Sequence, residues 1–407
     1  MVDQHVDRGA RAVLDRVDGD LIAERDATIS AGASGRIVVT GTVRLRGDAR
    51  IEAPLECRAV DCEGGRVRFV GDLVAADEVR AEDTRLEVGG RFTSRRVDVD
   101  RSLLLEGDAS GERFEVGGTF EARRSVTADT VEVGGTLQVQ GKLTGREVSV
   151  GGSAQLAMVE LDQLEVGGQI ELVEGVVRRK ISVGGMFSSQ GALQFGILEV
   201  GGIARLGAAS HGQEVEVGGK FSCAGDLTFT RLEVGGVADL GGSGAGVDVE
   251  VGGRIDIAGG LTLTGDLEVG GKARIGGDLR GANLELGGDL ECRSAILSGR
   301  AEIGGSVATV GGIRAHRIEL SRKSEARGPV VADEVSIGRG ARAGEVFGLR
   351  VEVGENATVD RVVGESVELR DHASVGRVEY TRELKVDRKA EVRTPPTHLV
   401  SLPTFPL

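Results

Sequence analysis

A four-residue pattern, apolar–acidic–apolar–glycine with a second glycine usually behind it, returns along most of this chain at nearly constant spacing. No other feature limits the fold as tightly. It stands as Phe114-Glu115-Val116-Gly117, Val131-Glu132-Val133-Gly134, Leu164-Glu165-Val166-Gly167 and Leu198-Glu199-Val200-Gly201. It continues as Val215-Glu216-Val217-Gly218, Leu232-Glu233-Val234-Gly235, Val249-Glu250-Val251-Gly252, Leu267-Glu268-Val269-Gly270 and Leu284-Glu285-Leu286-Gly287. Its first glycine falls at 117, 134, 151, 167, 184, 201, 218, 235, 252, 270, 287 and 304, in steps of 16, 17 or 18 and mostly 17. A period of this length marks a repeat architecture, in which each unit buries its apolar face only by stacking on its neighbours.

The register survives where the glycine is replaced. Upstream it passes through Val43-Arg44-Leu45, Val60-Asp61-Cys62, Val79-Arg80-Ala81 and Val97-Asp98-Val99. Downstream it passes through Ile318-Glu319-Leu320, Val335-Ser336-Ile337, Val351-Glu352-Val353, Val367-Glu368-Leu369 and Leu384-Lys385-Val386. Inside one repeat, Leu267 and Val269 face opposite to Glu268, Ala273 and Ile275 alternate with Lys272 and Arg274, and Leu279 opens a third short face. Alternation with period two is the signature of a strand with one face buried, and helical spacing is absent from the repeats. Three short strands per repeat predict an all-β chain, a right-handed triangular β-helix (β-solenoid) of about 20 turns of about 17 residues each. A left-handed hexapeptide solenoid would keep a six-residue sub-period, which the uneven sides do not show. With hydrogen-bonded turns about 4.8 Å apart, such a rod measures on the order of 95 Å. The expected organisation is an N-terminal arm or cap over 1–26, one continuous solenoid over 27–392, and a Pro-containing tail over 393–407.

Composition agrees. Sixty-six glycines against six prolines, with only 3% aromatic residues, leave Val, Leu, Ile and Ala to fill repeated inward positions. A net charge of −14 argues against a nucleic-acid partner, which would need a basic face. Cys57, Cys62, Cys223 and Cys292 form no C-x-x-C motif and fit a reducing cytoplasm. Cys223 and Cys292 occupy the slot held elsewhere by Val139, Leu156, Leu172, Leu206, Leu240, Ile257 and Ile275, which reads as a small buried hydrophobe. The histidines (His5, His211, His316, His372, His398) are scattered, so no metal site is expected. The glycine pairs read as corners where the backbone needs φ > 0. A phosphate cradle would instead open a helix and be followed by Lys and Ser or Thr, so no nucleotide cofactor is expected. The first thirty residues lack an apolar core and no 18-residue apolar run exists, which predicts a cytoplasmic protein with membrane contact left open.

Glu115, Glu132, Glu165, Glu199, Glu216, Glu233, Glu250, Glu268, Glu285, Glu302 and Glu319 should stack as one outward column. Neighbours about 4.8 Å apart in water repel by roughly 1 kcal/mol before screening. Ser149 and Ser182 interrupt the column, and Arg205, Lys220, Arg254, Lys272 and Arg274 on adjacent columns are expected to relieve it. The plain reading is a solvated face that blocks sideways strand addition. The sharper one is lateral bundling through a divalent cation or a partner. Glycoside hydrolysis needs two carboxylates in a cleft with different environments, which a uniform ladder does not supply, and no enzymatic role is expected.

The ends carry the remaining candidates, because an uncapped terminal turn is a template for another chain. Val13, Leu14, Val17 and Leu21 stand at approximate helical spacing within 8–24, as a cap or an arm. Leu399, Val400, Leu402 and Phe405 make the tail apolar enough to dock on the last turn or on a neighbouring subunit, while its prolines should stop it from continuing the ladder.

The apolar-x-apolar-Gly repeat, together with the Gly-Asp-apolar steps at Gly71-Asp72-Leu73, Gly225-Asp226-Leu227, Gly265-Asp266-Leu267, Gly277-Asp278-Leu279 and Gly288-Asp289-Leu290, resembles the bactofilins. These are polymer-forming cytoskeletal proteins, and this chain resembles an elongated or distant member. The resemblance implies a right-handed β-helix that assembles end to end into non-polar filaments without nucleotide, often near the membrane. The expected function is therefore a self-assembling cytoskeletal scaffold, with itself as chief partner and other cytoskeletal or membrane-associated proteins as further candidates. The alternatives are a non-polymerising binding scaffold and, last, a polysaccharide-active β-helix enzyme.

Overall fold

The computed structural model describes residues 3–405, and every regular element among them is a β-strand. The strands pair in parallel and stack as a β-solenoid, about 23 turns in all with turns about 17 residues apart. The chain divides into two compact units, one ending at Gly201 and the other beginning at Gly202.

One turn of the second unit shows the plan. Asp248–Val251, Arg254–Ile257 and Leu261–Leu263 form three sides, and each pairs with the equivalent strand of the next turn, Leu267–Val269, Lys272–Ile275 and Asp278–Gly281. Side one runs into the glycine pair, side two follows it, and side three completes the turn. Val249, Val251, Ile255, Ile257, Leu261 and Leu263 point inward and are buried, while Glu250 between them is exposed. The first unit is built alike, and its core holds an aromatic cluster drawn from all three sides. Phe114 of side one stacks on Phe120 of side two with centroids 5.7 Å apart, and meets Phe92 of side three edge-on at 5.9 Å. Cys223 and Cys292 lie in the inward slot predicted for them, and all four thiols are buried.

The glycine pairs have a different cause from the one the sequence suggests. None of the repeat glycines reaches the left-handed region, which is confined to other positions such as Gly64 and Gly65. What excludes a side chain is the turn beneath. A Cβ on Gly135 would lie 2.5 Å from the carbonyl oxygen of Gly118, and one on Gly252 would lie 2.7 Å from that of Gly235. These glycines stand over a carbonyl of the turn beneath, usually another glycine's and, for Gly117 and Gly118, those of Asp100 and Arg101, closer than a Cβ tolerates.

A second corner type replaces the pair towards both ends. In Ser321–Ser324, Gly338–Ala341, Gly354–Ala357 and Arg370–Ala373 the fourth N–H donates to the first carbonyl, and the third residue (Lys323, Gly340, Asn356 or His372) takes a positive φ. The same turn closes Asp7–Ala10 and Glu24–Ala27, with Gly9 and Asp26 left-handed.

Aspartates clamp successive turns together. Asp20 accepts the Thr42 N–H at 2.8 Å, Asp48 that of Arg66 at 2.7 Å, Asp72 that of Arg91 at 2.7 Å and Asp226 that of Ser243 at 2.7 Å. Two of the Gly-Asp steps thus bind the next turn's backbone. Asn283 does the same for the Arg300 N–H at 2.9 Å, so the acceptor matters more than the charge.

Two boundaries differ from expectation. Of the segment 1–26 expected as an arm or cap, the described part, 3–26, is not separate: Gln4–Val6, Arg11–Val13 and Arg16–Val17 are already the three sides of a turn, and 8–24 holds no helix. The opening strand pairs as Gln4↔Leu21, His5↔Ile22 and Val6↔Ala23. The next turn is longer, with Leu21 opposite Val43, because an exposed excursion at 31–36 interrupts the usual step. That insertion hid the register. At the other end the tail does continue the ladder: Thr397–His398 pairs with Glu379–Tyr380, and Pro395 and Pro396 occupy the corner before it, where no ladder donor is needed.

Two outcomes follow from these contacts. Gly252→Ala forces the Gly235 backbone aside and should destabilise by about 1–3 kcal/mol, whereas Gly344→Ala, where a Cβ meets nothing within 4 Å, should be neutral or slightly stabilising; thermal denaturation compares them. The second concerns acid. The Thr42 N–H, with Arg44 beside it, holds the Asp20 carboxyl below its ordinary range, the Ser34 hydroxyl does so for Asp15, and the Ser306 hydroxyl for Asp289. A carboxyl depressed in the folded state stabilises above its unfolded pKa, and that stability is lost as pH falls. Thermal midpoints should therefore drop between about pH 5 and pH 2, and Asp20→Asn, which keeps the acceptor, should narrow the drop.

Candidate functional site

The outward carboxylates form one column on side one of each unit. In the first unit the register runs Asp98, Glu115, Glu132, Ser149, Glu165, Ser182, Glu199. In the second it runs Glu216, Glu233, Glu250, Glu268, Glu285, Glu302, Glu319, then Ser336, Glu352, Glu368 and Lys385. All eleven glutamates singled out in the sequence lie where the period puts them.

Relief of their repulsion comes from other cations than expected. Arg254 pairs with Asp256 at 2.7 Å, and Lys272 and Arg274 pair with Glu291 at 2.7 and 3.1 Å, all on side two. The column is served instead by residues two positions earlier on the same strand. Arg113 reaches Glu132 at 2.9 Å and Glu115 at 3.5 Å, and Arg231 reaches Glu233 at 3.0 Å and Glu250 at 3.3 Å. Period two puts positions i and i+2 on one face, so the side chain that neutralises a rung can sit on that rung. Glu216, Glu268, Glu285 and Glu319 have no cationic partner among the described residues. No group of three or more His, Cys, Asp or Glu among the described residues is placed to hold a metal ion.

Two open grooves run beside the charged columns. One, of about 380 Å³, is lined by Asp77, Arg95, Glu112, Asp129 and Arg146, and the other, of about 530 Å³, by Glu319, Glu334, Arg350, Glu352 and Lys385. Several of their charges are paired internally: Arg95 with Glu112 at 3.2 Å, Arg146 with Asp129 at 3.1 Å, and Glu334 with both Arg317 and Arg350. Arg317 and Arg350 hold the Glu334 carboxyl below its ordinary range. The thiols are pushed the other way by burial, Cys57 and Cys292 each to about 12.

The terminal turns differ from the interior. Val17 and Leu21, expected as terminal contacts, are core residues: Val17 stacks under Val39 and Leu21 is wholly buried between Gln4 and Val43. Leu14 is half-buried and Val13 is 67% exposed. At the other end, Glu383–Val386, the close of the long strand Ser374–Val386, is the last segment of side one. Leu384 and Val386 continue the inward columns of Val367 and Leu369, yet Leu384 is only half-buried and Val386 is 45% exposed. Nothing among the described residues pairs with the outer edge of Glu383–Val386.

Side three of this end is closed by the tail. After Thr397–His398, the Leu399 N–H donates to the Tyr380 carbonyl at 2.7 Å, and the chain folds back over the flank. Leu402 and Phe405 pack on Val331, Phe347 and Val363, three outward residues in one register, with the Phe405 and Phe347 rings 5.7 Å apart. Leu399 is half-buried and Val400 wholly exposed. The next rung of that column is Glu379, buried at 4% exposure, which accepts from Arg361 at 2.8 Å and Arg377 at 2.5 Å. Arg361 also lies over the Phe347 ring at 5.7 Å.

No protein-family model, no curated protein and no solved structure matches the chain. Among the described residues no helix is long and apolar enough to cross a membrane.

Glu379 belongs to the strand on which the tail pairs, opposite Thr397. Glu379→Gln removes the charge shared by two arginines and should cost about 1–3 kcal/mol, read as a lower thermal midpoint and faster proteolysis of the tail after Arg393.

Proposed function

We propose that the chain is a structural scaffold of a cytoskeleton, working in the cytoplasm and assembling end to end into filaments without nucleotide, as the bactofilins it resembles do. One observation carries the reading. Leu384 and Val386 hold inward core positions on a side that nothing among the described residues pairs with, beside a strand edge whose backbone groups are free to pair. An exposed apolar rung beside a free parallel edge is the arrangement that accepts another chain by strand addition. The acidic column on side one works in the same direction, since like charges facing each other between adjacent molecules oppose sideways association and leave the ends as the favoured contact.

The test is electron microscopy of the purified chain in nucleotide-free buffer over a range of salt and Mg²⁺. Filaments are expected, unaffected by added ATP or GTP. A protein that stays monomeric under all these conditions overturns the proposal. Val386→Lys puts a charge on the open rung and should raise the concentration needed for assembly by about tenfold or more, with an unchanged thermal midpoint.

A further inference from the structure

The two ends of the chain match each other in three independent respects. The first is order. The chain opens with Gln4–Val6 on side one, Arg11–Val13 on side two and Arg16–Val17 on side three. It closes with Glu383–Val386 on side one, Glu391–Val392 on side two and Thr397–His398 on side three. Each end therefore begins and ends its turn at the same corner. A second copy placed on the last turn would meet side one with side one, side two with side two, and side three with side three.

The second respect is the corner's closing hydrogen bond. In the four-residue turn that joins side one to side two, the Ala10 N–H donates to the Asp7 carbonyl at the opening end and the Ala390 N–H to the Asp387 carbonyl at the other, at 3.1 and 3.0 Å, while only the opening turn takes a positive φ at its third residue, Gly9. The glycine pair is confined to the interior, and both ends close this corner with the four-residue turn instead.

The third is the inward column. On side one Val6 holds the inward position that Ala23 and Leu45 continue, as Val386 holds that of Leu369, and Gln4 precedes Val6 by two residues as Leu384 precedes Val386. Val6, 3% exposed in its own turn, would stand over the 45% exposed Val386 as Leu369 stands beneath it. His5 and Lys385, both outward and exposed, hold the equivalent middle position.

We infer that the two ends are the halves of one head-to-tail junction, in which the closing side-one segment Glu383–Val386 of one copy pairs in parallel with the opening strand Gln4–Val6 of a second copy, Val386 against Val6 and Lys385 beside His5. This deepens the end-to-end reading above and rests on it. It departs from the non-polar filaments that the family resemblance implies, because every junction joins unlike ends and the filament has a direction.

The experiment uses the full chain and engineered cysteines, with the four native thiols buried and silent. Residues in register on adjacent parallel strands have Cα atoms about 4.8 Å apart, within the range a disulfide spans. Lys385→Cys and His5→Cys proteins are purified separately, then oxidised alone and as an equimolar mixture. The expected result is covalent dimers in the mixture only, and a ladder of covalent multimers from a chain carrying both substitutions, each reversed by reductant. Dimers from either single variant alone would mean that like ends meet, and would overturn the inference while leaving end-to-end assembly standing. Filaments in the microscope with no crosslink in any sample would overturn it too, since assembly would then use another surface. Absence of both filaments and crosslinks removes the end-to-end reading itself.

Discussion

The constraint on which this molecule depends is the close approach of one turn to the next. Parallel pairing brings Gly135 over the carbonyl of Gly118 and Gly252 over that of Gly235, at distances that leave no room for a Cβ. Once turns lie this close in constant register, every position becomes a column and every column must tolerate its own residue as neighbour. Aliphatic side chains do so inward, where Val, Leu and Ile stack without polar atoms to satisfy. Glutamate does so outward only because arginines and lysines placed two residues before it share its face, or because water screens it. The aspartates at the corners add a bond that crosses between turns, so the backbone at the sharpest bends is held by a side chain from the turn before.

Much of this could be read from the sequence because the period is short and the side-chain alternation is strict. Val249, Val251, Ile255 and Ile257 point inward and Glu250 outward, as alternation demands. The role of the glycines could not be read. A glycine required for its φ and a glycine required by a neighbour's carbonyl look identical in one dimension, and only stacking separates them. The corners built on Lys323, Asn356 and His372 were equally hidden, since those residues share no chemistry beyond tolerating a left-handed backbone. Their trace is the small residue after each, Ser324, Ala357 and Ala373, recurring at the solenoid period. The opening turns were missed for another reason: the excursion at 31–36 breaks the count between Leu21 and Val43. The apolar residues before it, stripped of their period, then imitate a helix face.

The ends and the interior obey different rules. An interior turn is held from both sides, whereas the last turn is held from one and must either be covered or remain available. Here both solutions coexist. Side three is covered by a strand of the tail, locked through Phe405 on Phe347, and Glu379 beneath it is held between two arginines. Side one is left with an open apolar rung. The contrast is built from residues only a few positions apart, which places the choice between a finished and an unfinished end in a very short stretch of sequence.

The excursion at 31–36 has a further consequence. Its residues leave the surface at a corner and return with the pairing of Leu21 to Val43, Ile22 to Arg44 and Ala23 to Leu45 intact. Length at a corner is thus decoupled from register along the sides. A stack of this kind can acquire loops, tags or whole inserted domains at its corners without retuning a single column, and a fluorescent or affinity module placed there would ride on the surface while the ladder beneath kept its step.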